Sequence, residues 1–178
     1  MKKSLVVVVA CLLGSLAGYA QGYVQFANIG TGLNSPFKNV DNTALTGTGF
    51  YVELLAGADA ASATTSIVPL FTGSFGAGYF NGGSRNVANV TGGSAFAVVR
   101  VWDSMGGTLA TYAAAAATVG AKIATSNPFA VTLQPSSTLP PTIMTGMPSL
   151  QLMTVVPEPS TLALAMLGIG ALLLRRRK

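Results

Sequence analysis

The chain has 178 residues, of which 50% are hydrophobic and only 8% charged, with 21 glycines, one cysteine, no histidine and a formal net charge of +5. Without histidine, Ser/His/Asp and Cys/His nucleophilic sites are excluded and the commonest transition-metal ligand is missing, so neither a metal nor a cofactor is expected. The positive charge does not point to nucleic acid. Six of the ten basic residues, Lys2, Lys3, Arg175, Arg176, Arg177 and Lys178, lie at the two ends, where Glu158 is the single acid; in between, Lys38, Arg85, Arg100 and Lys122 balance Asp41, Glu53, Asp59 and Asp103. Both terminal clusters flank apolar runs, as membrane topology signals do.

The first twenty residues read as a secretory signal peptide: Lys2 and Lys3, an apolar stretch from Leu5 to Ala17, then Gly18-Tyr19-Ala20 with small residues where a signal peptidase inspects. Cleavage is expected between Ala20 and Gln21, with signal peptidase and Sec-type export machinery as partners. An uncleaved anchor is the alternative, although the run is short against the ~20 apolar residues of a span. A second alternative is acylation at Cys11 within Val8-Val9-Ala10-Cys11. If residues 1–20 are removed, Cys11 goes with them, and the mature chain has no thiol or disulfide chemistry.

Residues 21–153 form the expected domain, roughly 135 residues with the tail excluded, enough for one core. Its richness in Gly, Ala, Ser, Thr and Asn predicts a mainly β fold, an antiparallel β-sandwich or barrel-like domain. Tyr23–Ile29 and Phe50–Leu55 are strand-like in composition. Turn chemistry at Asn81-Gly82-Gly83-Ser84, Thr91-Gly92-Gly93-Ser94 and Ser104-Met105-Gly106-Gly107 predicts a meander of strands over 74–80, 85–90 and 95–103. The last of these, apolar on both faces, is expected to be central in its sheet. Ala113 to Ala117 predict one or two helical turns. Phe129, Val131 and Leu133 alternate with Ala130, Thr132 and Gln134 as in a strand with one buried face. Pro135, Pro140, Pro141 and Pro148 predict a loop before a last strand over 150–155.

The tail, residues 154–178, opens with Val156-Pro157-Glu158-Pro159 and continues as an apolar run from Leu162 to Leu174 into the basic cluster Arg175, Arg176, Arg177 and Lys178. The prolines hold the chain extended, Ser160 or Thr161 can cap a helix, and Glu158 and the arginines suit the two ends of its dipole. From Thr161 to Leu174 such a helix rises about 21 Å, short of a ~30 Å hydrocarbon core. A single transmembrane helix of this kind, stopped by basic residues, would insert with its carboxyl end inward.

This combination resembles the PEP-CTERM sorting signal of Gram-negative, often exopolysaccharide-producing bacteria. The resemblance implies that exosortase, a membrane-embedded cysteine protease, processes the tail and releases the body toward the cell surface or extracellular matrix, with exopolysaccharide as a further candidate partner. The segments GYVQFANIG from Gly22, GYFNGGSR from Gly78 and AFAVVRVWD from Ala95 resemble PEP-CTERM proteins of Verrucomicrobia, a resemblance that implies no activity.

Within the body, Arg100, Trp102 and Asp103 are candidates for a carbohydrate patch, an indole face between polar groups, against a packed tryptophan at the end of a strand. Asp41, Glu53, Asp59 and Asp103 are the only acids from which a polysaccharide-cleaving carboxylate pair could be drawn, and their spacing carries no signal for one. Asn39, Asp41 and Asn42 lack the acid spacing of a calcium loop. Gly73, Gly76 and Gly78 match no nucleotide-binding fingerprint, and Asn89-Val90-Thr91 matches a glycosylation acceptor by chance. The expected function is that of a non-enzymatic surface or matrix protein; the alternatives are a secreted polysaccharide-active enzyme and an uncleaved single-pass anchored protein.

Overall fold

The computed structural model describes residues 21–88, 90 and 92–156, without the side chains of residues 68 and 69. The expected signal segment, the tail helix and the basic cluster lie outside the described residues.

The two longest strands anchor one large open sheet. β4 (Phe50–Gly57) and β7 (Gly93–Asp103) pair antiparallel over their whole shared length, from Phe50 opposite Asp103 to Gly57 opposite Phe96. β5 (Thr65–Phe71) pairs with the free side of β4 as an edge strand. The register shifts between Val52 and Leu54, opposite the stretch of β5 that holds Pro69, a residue with no N–H for the ladder. The other side of β7 is shared: β9 (Phe129–Leu133) takes its first half and β8 (Lys122–Thr125) its second. Between them Ser126 stands opposite Val99, donating its backbone N–H to the Val99 carbonyl at 2.9 Å and accepting the Val99 N–H on Oγ, also at 2.9 Å. The ladder is thereby continued across the break. β7 is central, as its apolar character on both faces predicts. β11 (Met153–Thr154) closes the sheet beyond β8.

A smaller sheet is built on β1 (Gly22–Ala27), which pairs antiparallel with β6 (Asn81–Val87) and parallel with β10 (Thr142–Ile143). β2 (Ile29–Gly30) and β3 (Leu33–Asn34) make a separate hairpin. One apolar core takes side chains from both large and small sheets: Val24, Phe26 and Val87 meet Val52, Leu54, Ala97, Val99 and Val101 in the same cluster. The sheets are open, and the described strands close no barrel, which corrects the barrel-like alternative.

Phenylalanines fill the middle of this core. Phe26, Phe37, Phe71 and Phe75 all stand within 5.0–5.5 Å of Phe80, centroid to centroid, or touch a ring that does. The chain bends sharply to deliver them. Gly78 has φ of 87°, and a Cβ there would lie 2.6 Å from the Phe37 carbonyl oxygen, so both conformation and space require glycine. Asn28 is wholly buried and holds the same bend: its Nδ2 donates to the carbonyls of Ser35 (2.9 Å) and Gly78 (2.8 Å), and its Oδ1 accepts from the Phe80 N–H at 2.7 Å.

A second cluster lies on the other face of the large sheet. Trp102, Leu109, Ala115 and Ala121 pack with Tyr51, Tyr112, Ile123 and Val155 under the helix α1 (Tyr112–Ala117). The alanine run forms the helix as expected, with Thr111 as N-cap accepting the Ala114 N–H at 3.2 Å. Threonine and valine at 118 and 119, then Gly120 at φ 83°, end it.

The expected meander is corrected. Residues 74–80 form a loop of isolated bridges rather than a strand, and Asn81-Gly82-Gly83-Ser84 lies inside β6 rather than in a turn. β6 pairs with β1 in the small sheet while β7 pairs with β4 in the large one, so consecutive strands part between layers. The Phe75 and Phe80 side chains explain the loop: both are buried in the shared core, which needs them at the bend between sheets. The sequence reading also placed no strand at β5 or β8.

Candidate sorting segment and ligand-site residues

The carboxyl end of the domain is tied down to the last described residues. Lys38 donates its N–H to the Leu150 carbonyl at 2.8 Å and accepts the Leu152 N–H at 2.9 Å, while Leu150 and Leu152 point into the core. The alternate backbone groups face β8: Met153 pairs with Ile123 and Thr154 with Lys122, and Val155 exchanges both bonds, N–H to Ala121 (2.7 Å) and carbonyl from Gly120 (2.8 Å). Val155 packs against the Trp102 cluster. Val156, the first residue of the expected sorting motif, is 73% exposed. Pro157, Glu158, Pro159, Arg175, Arg176, Arg177 and Lys178 lie outside the described residues. At the other end Ala20 also lies outside them, whereas Gln21 accepts a hydrogen bond on Oε1 from the Asn86 amide next to β1.

The carbohydrate patch is overturned at its centre. Trp102 is 0% exposed, with its Nε1 donating to the Leu109 carbonyl at 2.9 Å and its ring edge-on to Tyr51 and Tyr112, so no indole face is free for a sugar. Arg100, on the same face, stacks its guanidinium 4.8 Å over Tyr112 and stands 3.5 Å from the Glu53 carboxylate. Burial raises the Tyr112 hydroxyl pKa above 10.0, with the Arg100 charge opposing in part.

The four acids do not gather. Glu53 is opposite Arg100 and Asp103 opposite Phe50; three residues apart on adjoining strands, they fall on opposite faces of the sheet. Asp103 accepts the Met105 N–H at 2.8 Å in the turn after β7. Asp59 lies beyond the far end of β4, where its carboxylate accepts the Ser62 N–H at 2.8 Å; these bonds hold its pKa below 3.8. Asp41 is similarly depressed, by Thr43, whose hydroxyl (2.6 Å) and N–H (3.1 Å) both donate to it. Among the described residues no three acids, cysteines or histidines stand close enough to hold a metal ion.

Asn39, Val40, Asp41 and Lys122 line a shallow concavity of about 400 Å³. Its polar side chains close the loop on itself: Asn39 Nδ2 donates to Thr43 Oγ1 (3.2 Å), and Asn42, at φ 66°, accepts from Lys38 Nζ (3.0 Å). Of the oxygens a calcium loop would use, Asp41 Oδ1 and Asn42 Oδ1 are thus engaged by protein donors. Gly73, Gly76 and Gly78 lie in loop, and Asn89 and Thr91 are outside the described residues. Among the described residues no helix is long and apolar enough to cross a membrane.

Sequence reasoning overlooked Asn28 and Ser126, the two polar side chains that organise the backbone most; Asn28 stands directly after the strand-like YVQFA, where a buried amide has no periodic signature. Comparison with known proteins adds one positive finding. No curated protein and no solved structure matches the chain, so the resemblance of its body to verrucomicrobial proteins gains no support. Residues 155–178 match the family described as the PEP-CTERM protein-sorting motif, so the chain carries at its carboxyl end a motif that implies sorting by exosortase to the cell surface.

Proposed function

We propose that this chain is an exported surface or extracellular-matrix protein of structural or binding role, without enzymatic activity. Its organisation is a signal peptide over 1–20, a β domain over 21–153 and a sorting segment over 154–178. Exosortase recognises the tail in the membrane, with Val156-Pro157-Glu158-Pro159 as motif and Arg175, Arg176, Arg177 and Lys178 as the stop to transfer, and the processed domain is delivered outward into the exopolysaccharide. The observation that carries this reading is the motif match over 155–178, which takes up the chain at Val155, the last described residue tied by backbone bonds into the folded domain. The non-enzymatic role is supported by the dispersal of Asp41, Glu53, Asp59 and Asp103, each engaged by neighbours of its own.

Mass spectrometry of the protein from the cell surface tests the sorting. The expected product begins at Gln21 and lacks the basic tail, and deletion of exosortase restores peptides through Lys178. A surface form that keeps Lys178 in cells containing exosortase would overturn processing. Assay of the exported protein against a polysaccharide panel tests the role, and hydrolysis abolished by a single carboxylate substitution would replace it with an enzyme.

A further inference from the structure

The domain exposes seven large apolar side chains among the described residues, and four of them surround the last strand. Val119, Met153 and Val156 are the most exposed of all, at 61%, 67% and 73%. Backbone bonds bring them together: Val119 precedes Gly120, which bonds the Val155 carbonyl; Val156 follows Val155; Met153 pairs with Ile123 one strand in. Val40, the fourth, accepts a hydrogen bond on its carbonyl from the Gln151 side chain at 3.2 Å. Two of the body's four basic residues flank the same edge: Lys122 pairs with Thr154, and Lys38 bonds Leu150 and Leu152. Asp41 is the acid beside them.

We propose that this edge of the sheet, formed by Val40, Val119, Met153 and Val156 with Lys38 and Lys122 at its rim and with Met153 and Lys122 leaving it on opposite sides, is the part of the domain that lies edge-on against the bilayer while the tail is still attached. The proposal rests on the sorting reading above, because it takes Leu162 as the start of the membrane segment. From Val156 to Leu162 there are six Cα steps, at most about 21 Å even if fully extended. About 5–8 Å of that is used in crossing the headgroup layer. A domain of this length has a radius of gyration of about 14 Å, so the tether holds this corner, and no other, within a fraction of the domain's diameter of the lipid. At so short a tether the effective concentration of the surface is high, and a contact too weak to recruit the free domain is still populated. The chemistry fits an interface: aliphatic side chains for the acyl boundary and two lysines whose stems reach it while their ammonium groups meet phosphate.

The test uses the full chain exported from cells lacking exosortase, so that the tail is retained, in a Cys11→Ser background and reconstituted into vesicles of phosphatidylethanolamine and phosphatidylglycerol. Single cysteines at V119C and M153C carry an environment-sensitive fluorophore, and A60C serves as reference. Residue 60 lies in the turn after β4, past Gly57 opposite Phe96, whereas the corner is level with Trp102; six residues of strand, about 20 Å, separate these rows. The expected result is that the V119C and M153C labels are shielded several-fold from iodide relative to A60C and are quenched by brominated lipid. Equal iodide quenching at all three sites, in chains that float with the vesicles, would overturn the seating and leave the sorting reading standing. Chains that do not float would overturn both.

Discussion

Asn28 is the residue on which most backbone depends. It satisfies two buried carbonyls and one buried N–H where β1 leaves the small sheet. Asn28→Ala is expected to lower stability by about 3 kcal/mol, measured by urea unfolding, because the Ser35 carbonyl and the Phe80 N–H lose their partner without reaching water and the Gly78 carbonyl keeps only the Phe37 N–H. Charge acts at this scale too. Asp41 and Asp59 are depressed from 3.8 by hydrogen bonds, so their contribution is present above that value and is lost as pH falls through their lower folded pKa. The double variant D41N/D59N should therefore show a flatter acid limb below about pH 4 in stability measured against pH. Tyr112 works in the opposite sense. Its raised pKa means that the contribution is complete below 10.0 and is lost as pH rises through the folded value, so Tyr112→Phe should flatten the alkaline limb.

Between residues and the whole lies the division of β7 between two partners. An eleven-residue strand is longer than either β8 or β9, and Ser126 lets both use it by bonding Val99 with its side chain as well as its backbone. Ser126→Ala removes the acceptor for the Val99 N–H and should cost about 1–2 kcal/mol in chemical denaturation. Hydrogen exchange should then show faster opening at Val99 than at Val101, which β8 still pairs. The strand over 129–133 and the alanine helix were legible because each shows one uninterrupted pattern: Val131 and Leu133 are buried between exposed Ala130 and Thr132, and Thr111 caps five alanines. β6 was not legible, because a Gly-Gly pair inside Asn81–Val87 has the composition of a turn and becomes strand only by pairing with β1. Trp102 was legible as packed or as ligand-binding, and the helix laid over it decides for packing.

For the whole molecule, the fold reaches into the first residues of the sorting segment, through Thr154 and Val155. A chain terminated after Val156 keeps every described contact and should unfold at the same urea midpoint as the full chain. Termination after Gln151 removes Leu152, β11 and Val155, exposing both clusters, and should lose about 3 kcal/mol or more. The sequence by itself determined the address, the neutral charge of the body, the mainly β character and the central place of β7, since these follow from composition and from patterns local to a few residues. Only the tertiary structure decided which strands share a sheet, that the four acids stand apart, and that four of the seven large apolar side chains exposed among the described residues stand around the last strand. Those depend on contacts between residues far apart in the chain, such as Lys38 with Leu152 or Asn28 with Gly78, which local pattern does not encode.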